Sequence, residues 1–192
     1  MTIRRLCVYC GSSPGTDPRY AKAAAELGKG MAAASIELVF GGGRVGLMGV
    51  VADAVLGAGG RVIGIIPGLL RDAELAHPGV TELITVGSMH ERKRLMAERA
   101  DAFAVMPGGL GTLDEAFEIV TWRQLKLHDK PIFVVDIAGY WAPFTALLDH
   151  IAAQGFVHPV EPRLLQRVSD VPELLTALRQ IAASTSQHLE AT

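Results

Sequence analysis

The chain has 192 residues, 49% of them apolar and 6% aromatic, with a formal net charge of −2. That length fits one domain with a core of Val, Ile, Leu and Ala, and the charge offers neither nucleic acid nor a membrane surface a basic patch. Asp53 or Pro67-Gly68 breaks each long apolar stretch before it could span a bilayer, and the apolar run after Arg4-Arg5 is too short for a secretion signal, so the expected compartment is the cytoplasm.

The first predicted strand, Ile3–Cys10, holds a C-x-x-C pair, Cys7 and Cys10. Residues three apart on a strand point to opposite faces, and no second ligand pair accompanies them, so both read as buried free thiols. Ser13 follows in the loop, and a helical pattern covers Pro18–Ala34. The second strand, Glu37–Phe40, runs into Gly41-x-Gly43-x-x-Gly46, which matches the dinucleotide fingerprint and opens a helix over Gly46–Leu56. The acidic residue expected at the end of the following strand is missing, because Arg61–Ile66 leads into Pro67; this argues against NAD. No G-x-x-x-x-G-K-[ST] occurs, which excludes a P-loop NTPase. Glu74 lies in the polar loop beyond, as a solvated carboxylate or an acceptor for ribose hydroxyls.

After a strand over Val80–Val86, Ser88 and Glu91 form a capping box for a helix over Met89–Arg99. Arg92, Lys93 and Arg94 follow near its positive end, either as a solvated basic face or as partners for an anion. The strand Ala102–Met106 then breaks into Pro107-Gly108-Gly109-Leu110-Gly111-Thr112-Leu113-Asp114-Glu115, with a helix expected over Leu113–Leu127. Glycines before a helix start leave backbone N–H groups uncovered, a ready site for phosphate, and Glu115 would lie beside the attached sugar. The same residues also read as a plain capping box, Thr112-x-x-Glu115. A strand over Pro131–Asp136 and helices over Trp141–Ala153 and Val171–Ala183 complete the domain, residues 1–183, with a frayed tail expected from Ser184 through residues 184–192.

Strands without strict alternation, separated by helices, imply a Rossmann-like, doubly wound parallel sheet in three α/β/α layers. In such a sheet the loops at Ser13, Gly42-Gly43, Met89 and Gly109 share one edge, where ligands bind, so Ser13, Gly42, Gly43 and Met89 are candidate pocket residues.

Gly41 to Gly49, Met89 to Lys93, and Pro107 to Glu115, in this order and spacing, resemble the LOG ("Lonely Guy") family of cytokinin riboside 5′-monophosphate phosphoribohydrolases, long labelled lysine decarboxylases. The resemblance runs from Cys7 to about Pro159 and includes Thr121-Trp122 and His128-Asp129-Lys130-Pro131. It implies hydrolysis of an adenine-type nucleoside 5′-monophosphate to free base and ribose 5-phosphate, without metal or redox cofactor. The family's catalytic positions fall on Arg92 and Glu115, and its substrate-binding positions on Glu74, Lys93, Gly109, Leu110, Gly111, Thr112, Leu113, Asp114 and Thr121. The family usually carries Glu at Asp114 and Tyr or Phe at Leu110. The resemblance further implies a homodimer with sites near the subunit interface. Two other readings use the same residues: a nucleotide-binding carrier or sensor without turnover, and a pyridoxal-phosphate decarboxylase, for which Lys93 is the lysine near the loops.

Overall fold

The computed structural model describes residues 2–73, 76–157 and 164–189. Seven parallel strands form one sheet: β1 (Arg5–Tyr9), β2 (Glu37–Phe40), β3 (Val62–Pro67), β4 (Glu82–Val86), β5 (Ala102–Val105), β6 (Ile132–Val135) and β7 (Gln166–Val168), in the order β4-β3-β2-β1-β5-β6-β7. The helices are α1 (Pro18–Ala33), α2 (Gly46–Gly57), α3 (Gly68–Ala73), α4 (Met89–Arg99), α5 (Leu110–Gln124), α6 (Ala142–Ala153) and α7 (Val171–Leu189). This is the doubly wound, Rossmann-like α/β/α arrangement expected from the alternating pattern.

Both faces of the sheet are covered, which is why its strands are apolar throughout. Leu27 and Met31 of α1, Val51 and Val55 of α2, and Leu174 and Leu178 of α7 bury Leu6, Val8, Leu38 and Phe40. Met96 of α4, Ala116 and Ile119 of α5, and Phe144 of α6 cover Val39, Ile63, Phe103 and Val105 on the other face. Cys7 and Cys10 fall in opposite layers as free thiols, as the strand period requires. The winding reverses at β1: β2, β3 and β4 lie on one side and β5, β6 and β7 on the other. Helices therefore diverge above the β1–β5 boundary, which is in register from Leu6↔Ala102 to Tyr9↔Val105, and a crevice opens at the strands' carboxyl ends.

Three local features depart from expectation. α5 begins at Leu110, three residues early, with Gly109 as N-cap. First-turn residues donate no intrahelical bond, so Gly111 costs that turn no backbone hydrogen bond of its own. β7 has three residues and one buried side chain, too short to show a period. α7 continues past Ser184 to Leu189, so helix occupies most of the stretch expected to fray; residues 190–192 lie outside the described residues.

Candidate active site

Four loops meet at the crevice, and their helix starts are not equivalent. The N–H of Arg19 in α1 donates to the Asp17 carboxylate at 2.9 Å. In α4 the Glu91 N–H donates to Ser88 Oγ at 3.1 Å, and the Glu91 carboxylate accepts from the Gly87 N–H at 2.8 Å. The second half of that capping box thus reaches one residue beyond Ser88. At α2, the Leu47 N–H donates to the Gly11 carbonyl at 2.9 Å. Gly46, at φ +61°, makes this approach possible: a Cβ there would stand 2.2 Å from the Ser12 carbonyl carbon. The dinucleotide-like glycines therefore serve loop packing. α5 differs from α1 and α4, since no side chain caps it. Thr112 is buried two residues inside the helix and Glu115 lies in its second turn, so the capping-box reading of Thr112-x-x-Glu115 is corrected.

The loop before α5 is held from behind. The Gly11 N–H donates to the Pro107 carbonyl at 3.0 Å, and the Tyr140 hydroxyl donates to the Gly108 carbonyl at 2.6 Å. With those carbonyls engaged, the helix start faces a cleft of about 180 Å³ lined by Cys10, Gly11, Ser12, Met48, Met89, Arg92, Gly109–Thr112, Asp114 and Glu115. A second hollow of about 230 Å³ lies across Gly109, between Ser13, Tyr20 and Tyr140.

Arg92 is buried, not part of a solvated face. Its Nη2 donates to the Gly41 carbonyl at 2.8 Å and its Nε to the Ile65 carbonyl at 3.2 Å, so one guanidinium ties the ends of β2 and β3. Gly41 is required by this packing, because a Cβ there would lie 1.9 Å from Nη2. The remaining nitrogen, Nη1, meets the Met89 sulfur at 3.7 Å, leaving its donors poorly used at the cleft. Glu115, half-buried, has its carboxyl pushed up to about 7 by burial; Asp114 and Glu118 add to the rise, while Arg92 and Lys93 oppose it. A carboxyl with a proton affinity near neutrality is suited to general acid–base chemistry.

Of the residues singled out from sequence, Arg92, Glu115, Met89, Gly109, Leu110, Gly111, Thr112 and Asp114 converge on the cleft. Leu110 is 85% exposed, so it forms the rim and not the wall. Ser13 lines the adjoining hollow. Gly42 packs on Ile66 and Gly43 pairs with Ala76, both behind the cleft. Leu113 packs against the core beneath α5, and Thr121 is exposed farther along that helix. Glu74 lies outside the described residues. Lys93 is buried away from the cleft lining, its Nζ 3.0 Å from Asp114 and 3.2 Å from Glu118. Its burial corrects the solvated-face reading, which survives for exposed Arg94, paired with Glu98 at 2.7 Å.

Cys10, Gly11, Ser12 and Met48 join the cleft without having been singled out for it. Cys10 to Ser12 follow β1 and Met48 lies in the first turn of α2, elements beside the winding reversal, and that position was the available signal. The His128-to-Pro131 segment is absorbed by packing: His128 Nε2 donates to the Ile119 carbonyl at 3.0 Å and Lys130 Nζ to the Ala97 carbonyl at 2.8 Å. Among the described residues, no group of three His, Cys, Asp or Glu side chains is placed to hold a metal.

The family model described as "Possible lysine decarboxylase" matches residues 48–178. The chain is 46% identical over 178 residues to rice (Oryza sativa subsp. japonica) "Probable cytokinin riboside 5'-monophosphate phosphoribohydrolase LOGL9", covering 93% of this chain and 78% of that one. It is 42% identical over 180 residues to the Arabidopsis thaliana cytokinin riboside 5'-monophosphate phosphoribohydrolase LOG3, covering 94% and 84%. Among solved structures, the molybdenum cofactor carrier protein of Chlamydomonas reinhardtii superposes with a TM-score of 0.73 at 21% identity, covering 94% of this chain and 99% of that one; this similarity concerns the fold alone.

Proposed function

The chain belongs to the LOG family of cytokinin riboside 5′-monophosphate phosphoribohydrolases, and from that premise we propose that this cleft hydrolyses the N-glycosidic bond of an adenine-type nucleoside 5′-monophosphate. The observation that carries the proposal is the meeting of Glu115, its carboxyl near neutrality, with Arg92 in one cleft at a helix start that no side chain caps.

The phosphate docks on the first-turn amides of α5, where the backbone partial charges favour an anion. Its binding energy holds C1′ against Glu115. As the C1′–N9 bond breaks, its electron pair leaves with the base, and positive charge grows on the ribose ring, where the ionised Glu115 stabilises it. Water forms the new C1′–O bond and gives its proton to Glu115; Glu115 then releases that proton to solvent as the departing base takes one up from solvent, so the free base forms and the carboxylate is restored. Nη1 of Arg92 points a fixed positive charge at the phosphoribosyl group. Gly109 to Thr112 and Asp114 surround the sugar phosphate, Met48 and Met89 form an adaptable apolar wall for the base, and Glu74, Lys93, Leu113 and Thr121 are the other members of the substrate set that the family resemblance implies.

Lysine decarboxylation, suggested by the family model's description, does not suit these residues. A Schiff-base lysine must lose its proton, yet Lys93 is held protonated: burial pulls its ammonium down, and the hydrogen bonds to Asp114 and Glu118 outweigh that. The non-catalytic carrier differs from the hydrolase by one observable. Incubation with AMP should release adenine and ribose 5-phosphate in equal amounts, and adenosine should be turned over far more slowly through a lower kcat as well as a higher KM. Tight binding of AMP with no release of adenine would make the protein a carrier.

A homodimer assembled near the cleft, a single domain that includes α7 and a cytoplasmic location complete the proposal. Its supports are the family resemblance and the exposed apolar side chains of Leu110 and Met89 at the cleft; light scattering on the purified protein tests the dimer. No helix among the described residues is long and apolar enough to cross a membrane.

A further inference from the structure

α4 presents two adjacent cations, and the helical turn sends them in different directions. Arg92 points to the sheet, whereas Lys93 points to α5, where Asp114 and Glu118 stand one turn apart on either side of Glu115 in sequence. The charged and titratable groups acting on Glu115 come from three elements. β1 and the residue that follows it contribute Cys7, Tyr9 and Cys10, which burial keeps neutral. α4 contributes Arg92 and Lys93, and α5 itself contributes Asp114 and Glu118. Three carboxylates on one stretch of helix thus face two cations, and the Lys93 ammonium contacts two of the three carboxylates.

We infer that Lys93 is a positioning residue: by clamping Asp114 and Glu118 it leaves Glu115 as the unpaired carboxylate of the cluster, free to ionise and to accept the proton of the attacking water. The inference rests on the reading of Glu115 as the reacting carboxylate, and it gives Lys93 a role that needs no contact with substrate. The Lys93 and Glu118 side chains are 10% and 25% exposed, so water screens that arm of the clamp weakly, whereas Asp114, at 59%, is held in a more solvated arm. Without the ammonium, Asp114 and Glu118 would both act on Glu115 uncompensated, raising its proton affinity and emptying the ionised form at neutral pH. Without Glu118, the opposite follows, because Lys93 would then be only partly neutralised.

The pH dependence of kcat/KM for AMP tests this with Lys93→Met, Lys93→Arg, Glu118→Gln and Lys93→Met/Glu118→Gln, beside a carboxyl-carbon NMR titration of Glu115 in each protein. The acid limb should move up by at least about half a pH unit in Lys93→Met, a roughly threefold further loss of kcat/KM on that limb. It should move down in Glu118→Gln, return toward the parent in the double variant, and stay near the parent in Lys93→Arg. A merely structural clamp would lower rates in both single variants without moving their limbs in opposite directions. Coincident limbs overturn the inference, as does a Lys93→Met variant whose KM rises equally at every pH, the signature of a direct phosphate contact. Should Lys93→Met fail to fold, Glu118→Gln decides alone: a downward limb supports the clamp and an unmoved one refutes it. Retained turnover in Glu115→Gln would instead refute the catalytic reading, so the two failures are separable.

Discussion

Replacing Glu115 by Gln should make the free protein more stable at alkaline pH while removing its activity. The carboxyl titrates near 7 in the fold and near 4.5 in the unfolded chain, with burial as the main cause. Between those values the folded state keeps a proton that the unfolded state has released, so stability falls as pH rises through this window. The full effect is at most about 3 kcal/mol, lost above about pH 7 and absent below about pH 4.5. Gln has the same shape and no proton to lose, and the variant is spared the decline. From about pH 5.5 to about pH 8.5, its stability advantage should grow by about 2 kcal/mol, or roughly 4–8 °C in Tm for a chain of this size. Urea denaturation of both proteins at the two pH values, without substrate, measures this difference between differences, which cancels any constant packing effect of the amide. A stability gap that stays constant or narrows as pH rises would refute the buried-carboxylate account. In the same preparation, kcat for AMP should fall by about 10²-fold or more, the scale of a lost general base.

Arg92→Ala should lose turnover and also about 2–4 kcal/mol of stability in chemical denaturation, because the Gly41 and Ile65 carbonyls lose buried donors. Gly41→Ala should separate the two roles: its Cβ displaces the guanidinium, the far end of a flexible side chain, so activity should collapse with a smaller stability loss than Arg92→Ala in the same assays. Gly46→Ala should cost more than about 2 kcal/mol by thermal melting, since φ is positive and the obstacle is the Ser12–Ser13 backbone. Cys7 and Cys10, buried and with thiol proton affinities pushed up by that burial, should resist a disulfide-exchange reagent at about pH 8 until denaturant is added.

Periodicity located the six longer strands and six longer helices of this fold, because a buried parallel sheet writes apolar runs and its covering helices write a 3.6-residue stripe. It missed β7 and α3, which are shorter than either period needs. At the site, residue type was legible and occupancy was not. Arg92 stood out as a cation near a helix's positive end and Glu115 as a carboxylate beside a glycine-rich helix start, and both reach the cleft. The glycines at Gly41 and Gly46 suggested a nucleotide, yet they serve an arginine and a backbone crossing, neither visible without the fold. Lys93 shows the same limit. Its neighbour in sequence lines the cleft, but Asp114 and Glu118, which engage it, are more than twenty residues away and belong to another helix.

The winding reversal at β1 also bears on how the enzyme comes into being. Cleft residues 10–12, 109–112, 114 and 115 follow β1 and β5, strands paired side by side yet about a hundred residues apart in sequence. Closing so long a loop brings no reward until the β5 edge zips onto β1, so the pairing has high contact order and belongs to the late part of folding. The half that carries β1 to β4 can gather through short connections, as consecutive neighbours do. It would still hold no cleft. On the ribosome and in refolding alike, the catalytic constellation therefore waits on one pairing: until β5 has zipped onto β1, the loop that carries Glu115 has no fixed place beside Arg92.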